Sequence, residues 1–147
     1  MIVLDANILV RAALGLRVRE LLQSYSERGI RFFAPRSCFV EAETYIPSLL
    51  QRKGRPESDV EASYDFLRKI VQPVELDSYK FFESEARNLL RRRDEDDWPV
   101  LAAALALHCP IWTEDTDFFG TGCAVWTTKN VELFLEKQIK TMEREEE

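Results

Sequence analysis

The stretch Asp94–Phe119, DEDDWPVLAAALALHCPIWTEDTDFF, decides the fold. It sets an acidic cluster (94–97), a compact apolar helix, a short apolar strand (110–113) and a second acidic cluster (114–117) in immediate succession. Carboxylates are costly to gather beside a core, because each raises the pKa of the next and resists desolvation. Acids that end apolar elements in this way point to a bound cation. A third acid, Asp5, closes the apolar run Met1-Ile-Val-Leu4 in the same manner.

Working outward, short apolar strands alternate with helices. Residues 1–5 read as a strand, followed by helices from Ala6 to about Leu14 and from Arg17 to Glu27, the latter stopped by Gly29. A strand over 30–34 precedes a helix reaching about Lys53, with a kink expected at Pro47. A helix over 58–71, a strand over 74–76 and a helix from Tyr79 to about Arg92 come next. The helix from Asp97 to His108 accepts Pro99 because early helical positions need no N–H. Strands at 110–113 and 124–126 and a C-terminal helix from about Asn130 to Met142 complete the chain. This alternation predicts one α/β domain over residues 1–142 on a parallel sheet, with a frayed acidic tail at 143–147.

The bulk numbers narrow the class. A chain of 147 residues, 46% apolar and 31% charged, is ordinary globular material. The longest apolar run, Val100–Leu107, is too short to span a bilayer, and the start lacks a signal-peptide pattern. Three scattered cysteines, Cys38, Cys109 and Cys123, argue for packing roles in a reducing compartment, so the expected location is the cytoplasm. With His108 the lone histidine, placed where a helix end favours it, a zinc site is not expected. The net charge of −6 argues only weakly against a nucleic-acid partner, since much of it lies in the terminal EREEE.

In open α/β sheets, ligands bind in the crevice at the carboxyl ends of the strands. If the first and fourth strands are neighbours, Asp5, Asp97 and Asp115 converge there, and Asp117 is close enough to join. An all-oxygen site without His or Cys suits Mg²⁺ or Mn²⁺, one ion or two, and such ions commonly meet phosphate oxygens. No glycine-rich loop follows the first strand, which excludes a P-loop and a dinucleotide fingerprint. Asn7 stands where haloacid-dehalogenase phosphatases carry their second Asp, and the acid pair and lysine of response-regulator receivers are not evident. Glu41 and Glu43 compete as a helical acid: Glu43 lies along Phe39, Ile46 and Leu50, Glu41 nearer Ser37, Thr44 and Ser48, and periodicity leaves the choice open.

Four segments together resemble the PIN domain, a metal-dependent ribonuclease fold common in prokaryotic toxin–antitoxin modules. They are Val3-Leu4-Asp5-Ala6-Asn7, Ala34-Pro35 through Phe39-Val40-Glu41-Ala42, Asp97 followed at the fifth position by Ala102, and Ile111-Trp-Thr113-Glu-Asp115-Thr-Asp117-Phe118. The resemblance implies a three-layer sandwich with strand order 3-2-1-4-5. It implies Asp5, Glu41, Asp97 and Asp115 as the acidic quartet, Asp117 as a further metal ligand, and Asn7 and Thr113 as groups that orient the carboxylates. It also implies hydrolysis of RNA phosphodiester bonds by water activated on Mg²⁺ or Mn²⁺, in the manner of a VapC-like toxin with a small antitoxin partner. A homodimer is a further expectation. A PIN fold that binds or regulates RNA with little cleavage is the alternative. Arg91, Arg92 and Arg93 are candidate RNA phosphate contacts, though arginines also suit a helix C-terminus.

Overall fold

The computed structural model describes residues 1–147. In chain order the elements are β1 (Ile2–Leu4), α1 (Ala6–Leu14), α2 (Leu16–Glu27), β2 (Phe32–Pro35), α3 (Arg36–Arg52), α4 (Ser58–Ile70), β3 (Val71–Val74), α5 (Leu76–Tyr79), α6 (Glu83–Leu89), α7 (Trp98–Leu107), β4 (Ile111–Trp112), β5 (Val125–Trp126) and α8 (Val131–Glu145). The five strands form one parallel sheet in the order β3-β2-β1-β4-β5. β1 and β4 are therefore neighbours, with Val3 opposite Ile111 and Leu4 opposite Trp112.

Every residue of β1 and β2 is buried, as a parallel sheet covered on both faces requires. On one side α7 lies against β1, β2 and β4, backed by α5 and α6. On the other, α1 packs against α2, α3 and α4. α7 is buried from Val100 through Ala104, and its alanines let it approach the sheet closely. At the sheet centre Trp112 is fully buried beside Phe32, and its indole N–H donates to Thr128 Oγ1 at 3.1 Å. α8 ties back to α2: Glu136 takes hydrogen bonds from Tyr25 and Arg28. Gly29, with φ of +99°, ends α2 where an added Cβ would lie 2.9 Å from Met142 Cε.

Four elements differ from the expectation. The third strand is Val71–Val74, not 74–76, so α4 stops one residue earlier than Val71. Pro73 fits there because β3 is an edge strand and one face of its backbone needs no ladder donor. The expected helix from Tyr79 to Arg92 is broken into α5, a 3₁₀ turn over Lys80–Phe82, and α6. The break leaves Phe81 86% exposed instead of on a buried stripe. α8 continues to Glu145, so most of the acidic tail is helical. α3 runs unbroken past Pro47, which sits on its exposed side.

Candidate metal centre

Asp5, Asp97 and Asp115 are each delivered by an element end at the carboxyl edge of the sheet. Asp5 follows β1 and caps α1, one carboxylate oxygen accepting the Ala6 N–H at 2.7 Å. Its other oxygen accepts the Thr113 hydroxyl at 2.8 Å and Asn7 Nδ2 at 3.0 Å. Thr113, fully buried just past β4, also accepts from Asn7 Nδ2 and from the Asp115 N–H. Asn7 Oδ1 accepts the Glu114 N–H, closing the network. The β1–α1 junction and the loop after β4 are thus locked together through two neutral polar side chains.

Asp115 caps a 3₁₀ turn over Thr116–Phe118 by accepting the Asp117 N–H at 2.9 Å. Asp97 ends a second 3₁₀ turn, Glu95–Asp97, immediately before α7. Carboxylate oxygens of Asp97, Asp115 and Asp117 all lie within 4.8 Å of one another. Asp5 and Glu41 lie outside this group of three: Asp5 is tied to Asp115 through Thr113, and Glu41, exposed in the second turn of α3, feels the charges of Asp5 and Asp94.

The electrostatics record the crowding. Burial, then the charges of Asp5, Asp94 and Asp115, push the Asp97 carboxyl up to about 8. Burial raises Asp5 as well, opposed by its hydrogen bonds from Thr113, Ala6 and Asn7 and reinforced by Asp115. Burial, then Asp5 and Asp94, raise Glu41. No Lys or Arg forms an ion pair with any of these acids. A group of hard oxygen donors with uncompensated charge fits a divalent cation such as Mg²⁺ or Mn²⁺.

Glu43, the competing acid on α3, is turned away: it pairs with Arg68 at 2.9 Å, and its carbonyl accepts the Tyr64 hydroxyl. Glu114 accepts the Thr128 N–H and so braces the segment after β5. Asp94, not among the expected site acids, bears electrostatically on both Asp97 and Glu41, while its side chain caps the turn at Asp96. Its position in a four-acid run gave no local signal of this. Arg91 and Arg92 are exposed on the segment leading to Asp94. Arg93 instead donates to the carbonyls of Asp117 and Phe119.

The PIN domain sequence profile matches residues 3–136. Among solved structures, the fold is similar to one described as a toxin–antitoxin complex from Klebsiella pneumoniae, with a TM-score of 0.58 at 16% identity. The alignment covers 87% of this chain and 98% of that one. No curated protein matches the chain by sequence. No helix is long and apolar enough to cross a membrane.

Proposed function

The chain belongs to the PIN domain family, and from that premise we propose that it is a divalent-metal-dependent endoribonuclease, the toxin of a toxin–antitoxin pair. The observation that carries the proposal is the convergence of Asp97, Asp115 and Asp117 carboxylates within 4.8 Å, with no Lys or Arg in an ion pair with them. RNA is a polyanion, and such a crevice repels it until a cation is bound.

Asp97, Asp115, Asp117 and Asp5 would hold the ion, Mg²⁺ or Mn²⁺. When bound, such an ion lowers the pKa of water and offsets charge on the phosphate under attack. The chain's own groups do the rest. Thr113 and Asn7 fix the Asp5 carboxylate through its Oδ2, and Thr113 also holds the Asp115 backbone, so the acids are set before any ligand arrives. Asp97 would have to give up its proton to hold the ion, and affinity would then depend on pH. Glu41, raised by burial and by Asp5 and Asp94, lies at the rim where it can take a proton from the attacking water. Arg91 and Arg92, exposed beside the crevice, would meet flanking phosphates. Hydrolysis leaving a 5′-phosphate is the outcome proposed.

The complete acid set around one crevice favours cleavage over RNA binding alone. The likeness to a structure described as a toxin–antitoxin complex supports including a small antitoxin partner in the proposal. The test is incubation with end-labelled single-stranded RNA and Mn²⁺, with Asp5→Asn as the control. Cleavage by wild type and its loss in the variant support the reading, and equal cleavage by both overturns it.

A further inference from the structure

Arg93 is exposed at the end of an arginine run, yet its guanidinium is not free. Nη1 donates to the carbonyls of both Asp117 and Phe119, across an interval of more than twenty residues. Beneath it, Gly120 adopts φ of +79°, and a Cβ there would lie 3.3 Å from Arg93 Nη2. Glycine suits the left-handed backbone, and a Cβ there would press the guanidinium back by a few tenths of an ångström. The Arg93 N–H donates to the Leu90 carbonyl at 2.8 Å, anchoring the residue in its own turn.

The two segments so joined carry the acids. Arg93 immediately precedes Asp94 and lies four residues before Asp97, and its partners are the carbonyl of Asp117 itself and that of Phe119, both just after Asp115. Like charges on the two segments push them apart, and the clamp resists this. It does so through carbonyls and makes no ion pair with a carboxylate, so the acids stay available to a cation. Hydrogen bonds from an ionised donor are roughly twice as strong as neutral ones. We propose that Arg93 is a positioning residue that sets the spacing of the two acid-bearing loops, and that Gly120 is its counterpart. The inference rests on the metal-site reading above.

The experiment uses the full chain as wild type, Arg93→Ala, Arg93→Lys and Gly120→Ala. Amide exchange of residues 115–122 is measured in EDTA, and Mn²⁺ affinity is measured without RNA. Arg93→Ala and Gly120→Ala are expected to speed exchange in that loop and to weaken Mn²⁺ binding by about tenfold. Arg93→Lys, or millimolar methylguanidinium added to Arg93→Ala, recovers part of the affinity. The double variant binds Mn²⁺ no more weakly than Gly120→Ala alone, which already carries the disturbed contact together with the strain of a Cβ at positive φ. Unchanged loop exchange or unchanged Mn²⁺ affinity in folded Arg93→Ala overturns the proposal. So does a loss of RNA affinity alone, which would make Arg93 a phosphate contact. Wild type that binds no Mn²⁺ overturns the nuclease reading itself, a failure visible before any variant is measured.

Discussion

Thr113 Oγ1 donates to Asp5 Oδ2 at 2.8 Å across the β1–β4 pair, and the same Thr113 Oγ1 accepts the Asp115 N–H at 2.9 Å. One fully buried atom therefore positions two of the candidate acids. Thr113→Val keeps the shape but strands the Asp115 N–H and removes a donor from Asp5. Such losses cost about 1–3 kcal/mol. In a chain of this size that is roughly 2–4 °C of melting temperature per kcal/mol. Thermal unfolding should show the fall in Thr113→Val and little in Thr113→Ser, with RNA cleavage reduced about 10–100-fold in the valine variant only.

Acid crowding makes metal-free stability fall as pH rises. Asp97 keeps its proton in the fold up to about 8, whereas its ordinary value is 3.8. Between these values the folded state binds more protons than the unfolded one, so raising the pH favours unfolding. The loss begins above the ordinary value and is complete above about 8. Asp5 and Glu41, both raised, act in the same direction. In EDTA the melting temperature of wild type should decline from pH 5 to pH 8, and Asp97→Asn should flatten the decline. Saturating Mn²⁺ should remove most of it, because a ligand of the native state stabilises by mass action. A flat wild-type profile in EDTA contradicts the crowding.

Asp97 is the better position for this test than Asp5. Asparagine at 5 would face the Thr113 and Asn7 donors with its own N–H group, so relief of repulsion there is mixed with lost hydrogen bonds.

Glu41 and Glu43 separate cleanly by function. Glu41 feels the charges of Asp5 and Asp94, and Glu43 is paired with Arg68 on α4. Glu41→Gln should lower cleavage by about 10²-fold or more. Glu43→Gln should leave it within about twofold, since an exposed pair contributes only about 0–1 kcal/mol. Initial rates on one RNA, measured side by side, check this. Equal loss in both variants contradicts the assignment.

His108 ends α7 in the left-handed region, with φ of 53° and ψ of 47°. Glycine carries no Cβ penalty there, which for other residues is about 1–2 kcal/mol. Its greater freedom when unfolded takes back part of that gain. His108→Gly should therefore raise the melting temperature modestly without affecting cleavage, as calorimetry and the RNA assay would show.

How far the sequence could be read follows from what is local. Asp5, Asp97 and Asp115 stand at the ends of strongly apolar elements, so their convergence was readable once β1 and β4 were taken as neighbours. β3 was not, because Val71-Gln-Pro-Val74 is short and its proline suits an edge strand only after the edge is known. Asp94 is one of four acids in a row, and charge along four residues says nothing of what lies across the crevice. Arg93 was hidden for the same reason: its partners are backbone atoms of a distant loop, and a carbonyl has no sequence signature.

The central claim is that these acids form a divalent-cation site, and direct titration of metal-free protein with Mn²⁺ tests it most simply. At pH 7.5, with free Mn²⁺ followed by electron paramagnetic resonance, wild type should bind one or two ions and release protons as it does so. Asp97→Asn and Asp115→Asn should each lose most of that affinity. Wild type that leaves all Mn²⁺ free, or variants that bind it as tightly as wild type, would contradict the account.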